Sequence, residues 1–299
     1  MARRSIFTIV VVAVVSLMVI TGIVLAVMRG NEGTGLSLGD HIAVIPIDGV
    51  IGDDKEVLEE IRRFRDDESV KGYIVAINSP GGAVGPSQSI YREIKRIREE
   101  DKVPVIAAIS SIGASGGYYI AVAADSIYAN PGSITGSIGV IMEMPNVEPL
   151  MKKVGVSMQV IKSAEHKDIG SPFREMTPSD RDILGAMVQD VYQQFVEVVA
   201  KERKKTREQI LPLADGRVLS GRQALQSGLI DRLGNFNDAV AAVGRMAKLG
   251  KEPKLLYPTK KKPTVLDVLL GRAAESAVGQ IMRPLEEVTS TPRVRFVVP

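Results

Sequence analysis

Cysteine and tryptophan are absent from this 299-residue chain, histidine occurs twice, and aromatic residues make up only 4% of it. Without cysteine there is no disulfide framework, no thiolate nucleophile and no cysteine-ligated zinc or iron–sulfur site. The two histidines, His41 and His166, are far apart in sequence and form no HExxH arrangement, and no GxxxxGK[ST] phosphate loop is present. The expectation is therefore of no metal and no cofactor. Charge is equally uninformative: 38 basic against 35 acidic residues leave a net charge of +3, too balanced for a nucleic-acid surface. Scarce aromatics also remove the platforms on which bases stack, so no nucleic-acid partner is expected.

What the chain does have begins at its N-terminus. Residues Ile6 to Met28, "IFTIVVVAVVSLMVITGIVLAVM", carry no charge and are long enough to cross a bilayer as one helix. A cleaved secretory signal has a shorter apolar region and a small-x-small cleavage site, whereas this run ends in "LAVMRGNEG". Residues 1–30 are read as a cytoplasmic N-terminus and a retained membrane anchor. Arg3 and Arg4 precede the run, and by the positive-inside rule they place the N-terminus in the cytoplasm and everything after Met28 outside it.

Residues 31–40, glycine-rich and polar, read as a tether. From His41 to about Gly250 apolar β-type runs alternate with helical patterns. "IAVIPIDGVI", "GYIVAIN" and "VPVIAAIS" read as strands, and "DKEVLEEIRRFRDD" and "SQSIYREIKRIREE" as helices. Such alternation predicts one α/β domain over 41–250. The long segment "RDILGAMVQDVYQQFVEVVAKERKK" carries Ile183, Met187, Val191, Phe195 and Val198 at helical steps, a stripe that faces either the core or another subunit. Residues 251–299 read as a basic, proline-punctuated linker and a tail.

Two strand-to-helix junctions are glycine-rich, and active sites of open α/β sheets gather at such places. In "INSPGGAVGPS", Gly81 and Gly82 permit positive φ and can aim N–H groups at an anion; an ordinary glycine turn is the equal alternative. In "ISSIGASGGYYIA", Ser115 sits just ahead of a predicted helix, where its hydroxyl can be exposed beside the Gly116 N–H. A serine there is also a common N-cap that catalyses nothing. With so few histidines, the base that would activate such a serine is not evident from the residues themselves.

"INSPGG", "SIGASGGYYIAVAAD", "NPGSITGSIGV", "KDIGSPFREMT" and "GRVLSGRQALQSGLIDRLG", in this order, resemble the signal peptide peptidase A family, serine peptidase family S49, in its short single-copy form. The resemblance runs from about His41 to Met246. It implies a Clp protease/crotonase-like α/β fold of repeated β-β-α units and a membrane-anchored serine protease with a Ser/Lys dyad. By motif it makes Ser115 the nucleophile, Lys167 the general base and Ser137 the residue that orients the lysine, with Gly82 and Gly116 forming the oxyanion hole. An unperturbed lysine, with a pKa of about 10.4, is protonated at neutral pH, so burial must bring it to about 7–8. His166, beside Lys167, leaves a Ser/His reading open.

The implied substrates are extended peptides such as remnant signal peptides and other unfolded polypeptides, bound as an added strand. Because longer members carry two copies of the fold, a homo-oligomeric ring on the membrane is implied, and whether Ser115 meets a Lys167 of its own chain or of a neighbouring subunit stays open. Two other activities stay open: cleavage of a stomatin-like membrane partner, and crotonase-like acyl-CoA chemistry that uses the same paired N–H groups.

Overall fold

The computed structural model describes residues 39–258. The apolar run from Ile6 to Met28 and the tail from residue 259 lie outside them. One compact unit ends at Leu256, and the second, Tyr257–Pro299, falls almost wholly outside the described residues.

In chain order the first unit contains β1 (His41–Ile51), α1 (Lys55–Arg65), β2 (Val70–Gly82), α2 (Val84–Glu99), β3 (Val105–Ala114), α3 (Gly116–Ala121), β4 (Ser126–Ala129) and β5 (Ile134–Gly136). It continues through α4 (Glu148–Lys153), a 3-10 turn over Glu165–Asp168, α5 (Pro178–Glu202), α6 (Arg207–Ile210), β6 (Val218–Ser220), α7 (Gly221–Gln226), β7 (Arg232–Leu233), α8 (Phe236–Met246) and β8 (Lys254–Leu256). The strands form one sheet in the order β6-β5-β3-β2-β1-β8, with β4 beside β3 and β7 beside β4. All pairings are parallel except β5 with β6. The segment read from sequence as a basic linker thus contributes β8, which extends the sheet along β1.

The near-continuous apolar runs of the central strands follow from burial on both faces, the rule for parallel sheets. Side chains alternate with period two. Ala43, Ile45 and Ile47 of β1, with Tyr73, Val75 and Ile77 of β2, enter the larger core beneath α1, α2, α3 and the end of α5. Ile42, Ile74, Ile106 and Ala108 point the other way, against Ala239, Val240 and Val243 of α8. Each such fully buried Ile or Val contributes about 1.5–3 kcal/mol.

Strand β3 positions the site. Its first half, Ile106 to Ile109, pairs with β4, and its second half, Ile112 to Ala114, pairs with β5. The strand therefore forks away from one neighbour to the other just before Ser115. β2 is also longer than the sequence pattern indicated. After a register irregularity between Ile77 and Ser79 it continues through Pro80 to Gly82, where it still pairs with Val50 and Ile51 of β1. Proline and two glycines read as a loop, yet the strand continues because β1 still pairs with it beyond a register shift of its own between Asp48 and Val50.

Helix α5 opens with Thr177 in a reciprocal capping box with Asp180. Only its C-terminal half joins the core, through Phe195, Val196, Val199 and Ala200. Phe195 meets the edge of the Tyr119 ring at 5.0 Å. Glu202, buried at the helix end, accepts hydrogen bonds from Tyr91 Oη at 2.6 Å, Arg98 Nη2 at 2.7 Å and the Lys95 ammonium of α2. The N-terminal half leaves Ile183 and Met187 exposed at 44% and 46%. The apolar stripe read from the sequence is thus core-facing over half its length and, among the described residues, uncovered over the other half.

Candidate active site

Ser115 occupies the turn from β3 into α3 with φ 50° and ψ −118°. A non-glycine residue with such backbone angles is strained by about 1–3 kcal/mol and persists only where its surroundings hold it. Two backbone bonds do so: Ser115 N donates to Gly136 O at 2.9 Å, and Tyr119 N donates to Ser115 O at 2.8 Å. The serine stands at the N-cap position of α3, but its side chain makes no capping hydrogen bond. Its hydroxyl is therefore not committed to the bland role that this position allows.

The turn at Gly81–Gly82 packs directly against it. A Cβ placed on Gly81 would lie 2.6 Å from Gly116 N and 2.9 Å from Ser115 Cβ, and one on Gly116 would lie 3.3 Å from Gly82 N. Only glycines allow the two backbones to approach this closely. The turn is held from below by the buried Ser79, whose hydroxyl accepts from Gly81 N at 3.1 Å. Gly116 is the first residue of α3, so its N–H has no acceptor within the helix. The two glycine motifs, 34 positions apart in sequence (82 to 116), thus sit side by side around one serine.

Ser137 is the third residue at this point. β3 and β5 pair as far as Ala114 with Gly136, and the next residue on each strand is Ser115 and Ser137. Both have left-handed φ, 50° and 52°. Ser137 N donates to Arg217 O at 2.9 Å, which ties it to the start of β6.

Ser115, Gly116, Gly82 and Ser137 line one cleft of about 680 Å³. Its far wall is apolar, formed by Tyr119, Val188, Tyr192 and Phe195. Burial raises the Tyr119 phenol above its ordinary pKa, so that ring stays neutral. Asp215 is the one carboxylate on the lining. Arg217 forks across it, with Nε and Nη2 at 2.7 and 2.5 Å, and the guanidinium holds the carboxyl down at about 2. An anion paired in this way makes a poor proton acceptor at neutral pH. No lysine and no histidine of the described residues lines the cleft.

Lys167 is elsewhere on the chain. It lies in the exposed 3-10 turn Glu165–Asp168, outside the cleft lining. His166, beside it, turns its Nδ1 to Asp180 Oδ1 at 3.2 Å. Four of the five residues expected at the site are therefore together within one chain, and the fifth is not among them. Sequence reasoning also missed the half of α5 that walls the cleft and the Asp215–Arg217 pair. A continuous helical stripe carries no signal of where the core ends.

The chain between the cleft-lining residue Ile141 and the Lys167 turn has little cover. Ile141, Leu150, Val154 and Ile161 are 82%, 62%, 65% and 103% exposed. Ile183 and Met187 of α5 are exposed as well, so several large apolar side chains between residues 141 and 187 are left uncovered among the described residues. Among the described residues no group of histidines and acids is arranged to hold a metal, and no helix is long and apolar enough to cross a membrane.

Comparison with known proteins points the same way as the geometry. The sequence profile described as Peptidase family S49 matches residues 97–250. A candidate protease of Synechocystis sp. is 46% identical over 200 residues, covering 66% of this chain and 71% of the relative. A candidate signal peptide peptidase SppA of Enterococcus faecium is 34% identical over 248 residues, covering 77% and 72%. Protease 4 of Salmonella typhi is 34% identical over 270 residues, which span 87% of this chain and 43% of the longer relative.

Proposed function

The chain belongs to peptidase family S49 and is a protease, and from that premise we propose that it is a membrane-anchored serine endopeptidase in which Ser115 is the nucleophile and Lys167 the general base. The observation that carries this reading is the convergence of an uncapped, strained serine with the Gly82 and Gly116 backbones in one apolar-walled cleft. Membership of a peptidase family sets aside the acyl-CoA alternative.

In this reading the neutral amine of Lys167 takes the Ser115 proton as Oγ attacks the peptide carbonyl carbon. The N–H groups of Gly82 and Gly116 receive the charge that develops on the carbonyl oxygen. The lysine then delivers its proton to the departing amine nitrogen, the C–N bond breaks, and an acyl-enzyme remains. Water attacks that ester with the same lysine as base, which releases the acid and restores the serine. Ser137, beside Ser115 on the paired strand, orients the amine. No cofactor enters the cycle.

The lysine is supplied by a neighbouring subunit of a homo-oligomeric ring. Two features support this: Lys167 is exposed and outside the cleft of its own chain, and large apolar side chains between residues 141 and 187 are exposed among the described residues. A neighbour seated there would also provide the desolvation that a neutral amine requires. The anchor at Ile6 to Met28, with a cytoplasmic N-terminus and an extracytoplasmic protease domain, places the ring on the membrane. The Clp protease/crotonase-like character of the fold, with its repeated β-β-α units, belongs to the same proposal. Remnant signal peptides and other extended polypeptides are the substrates, a class supported by the name of the Enterococcus relative.

Co-expression tests the shared site. Ser115→Ala and Lys167→Ala chains, each inactive alone, should together recover about one quarter of wild-type turnover, because random head-to-tail assembly pairs an intact serine with an intact lysine in that fraction of sites. Absence of recovery in mixed oligomers contradicts a site shared between chains.

A further inference from the structure

Lys167 is exposed, yet the residues on either side of it are not free. Arg174 reaches back across the segment and grips Asp168 three times, with Nε to Oδ2 at 3.0 Å, Nη2 to Oδ1 at 2.9 Å and Nη2 to the backbone oxygen at 3.3 Å. Its remaining arm, Nη1, meets Asp180 Oδ2 at 2.5 Å. Asp180 is 1% exposed, accepts from Thr177 N at 3.1 Å, and faces His166 Nδ1 at 3.2 Å. Lys162 closes the other side, with Nζ on Asp168 Oδ1 at 2.8 Å and on the Glu165 backbone oxygen at 2.7 Å. Both neighbours of Lys167 are thus tied to one buried carboxylate in the first turn of α5, the helix whose middle walls the cleft: Asp168 through the Arg174 guanidinium and His166 directly. Arg174 holds both carboxyls, Asp168 and Asp180, well below the usual carboxylate range.

We infer that Arg174, with Asp168 and Asp180, is a positioning device for Lys167: it fixes the 3-10 turn to the start of α5 so that the amine is presented at a set place to the Ser115 it serves. The inference rests on Lys167 being the base, and it holds whether that serine lies in the same chain or in a neighbour. A purely structural salt bridge would need only one of these contacts. Here a planar fork spans the residue after the lysine and, through Asp180, the residue before it, and a fork of this kind fixes orientation as well as distance. The amine itself makes no part of the clamp, so the segment is braced while the lysine stays free to enter a site. Displacing a reacting group by about 1 Å costs on the order of 10²-fold in rate.

The test uses the full-length protein with a fluorogenic signal-peptide substrate, comparing Arg174→Ala, Arg174→Lys and Asp168→Asn with wild type and with Lys167→Ala. We expect kcat to fall about 100-fold in Arg174→Ala with KM changed less than about twofold. The acidic limb of the kcat/KM profile should move, since that limb reports the environment of the base. Arg174→Lys keeps the charge but not the fork and should recover little. Asp168→Asn, the milder change, should reproduce the kcat loss and the moved limb in part while its melting temperature stays close to wild type. The inference is overturned if Arg174→Ala and Asp168→Asn keep wild-type kcat while Lys167→Ala is inactive. It is also overturned if their losses only follow the unfolded fraction and the limb stays in place. Wild-type activity in Lys167→Ala would instead remove the base assignment itself, and the inference with it.

Discussion

Ser115→Ala is expected to lower kcat for peptide hydrolysis by about 10⁴- to 10⁶-fold, the scale on which loss of a catalytic nucleophile is felt, while the melting temperature stays within a few degrees of wild type. The two halves of that expectation have separate physical grounds. The hydroxyl caps no helix N–H, so removing it leaves α3 as well satisfied as before. Any residue that bears a Cβ is strained at this positive φ, so alanine retains the strain rather than releasing it. The bonds that hold the turn, to Gly136 O and from Tyr119 N, are made by the backbone and are indifferent to the substitution. Chemistry is lost and structure is kept. Turnover with parallel thermal denaturation checks both; substantial residual hydrolysis, or a large fall in melting temperature, contradicts the role given to this side chain.

The second large effect lies in the glycines around it. Gly82→Ala places a Cβ 2.2 Å from Ile51 O, a backbone atom that also accepts from Ala83 N at 2.7 Å and has little room to move. Gly116→Ala places one 2.5 Å from the hydroxyl oxygen of Ser87, a buried side chain bonded to Ala83 O at 2.9 Å. Either substitution displaces the backbone that bears it, and with it one of the two N–H groups assigned to the developing oxyanion. A single lost donor of this kind costs about 10²- to 10³-fold in kcat. Gly85, one helical turn away on α2, meets nothing within 4 Å, and Gly85→Ala should leave kcat unchanged. Wild-type kcat in Gly82→Ala and Gly116→Ala would place the oxyanion hole elsewhere.

Much of this arrangement was legible in the sequence, and the reasons are local. The strands β1, β2 and β3 announce themselves because a parallel sheet buried on both faces needs uninterrupted Ile, Val and Ala. The two glycine junctions stand out because a close backbone approach tolerates no side chain, and the structure brings them together around Ser115. The continuation of β2 through Pro80 and Gly82 was not legible, since it depends on a register irregularity whose partner, Val50 to Ile51, lies 30 residues earlier. Nor did the stripe from Ile183 to Val198 reveal that its first half leaves the core: periodicity marks a face, and only the tertiary arrangement decides what covers it. Lys167 is the extreme case. Nothing in composition or spacing separates it from 37 other basic residues among the 38, and only the order of five motifs singles it out. The structure adds the clamp around it, whose one sequence trace is the Thr177–Asp180 capping box.

The central claim is that a lysine, not a histidine, activates Ser115. His166 is the rival with an observation behind it, since its Nδ1 faces Asp180 as the imidazole of a Ser/His/Asp triad faces its carboxylate. Asp180, however, is already shared with Arg174 and the Thr177 N–H. The measurement that decides between them is the pH dependence of kcat/KM for Lys167→Ala and His166→Ala in the full-length protein with a signal-peptide substrate. The account predicts no turnover at any pH for Lys167→Ala. For His166→Ala it predicts retained turnover with the pH profile of wild type. Lost activity in His166→Ala with a tolerated Lys167→Ala would make histidine the base and contradict the account.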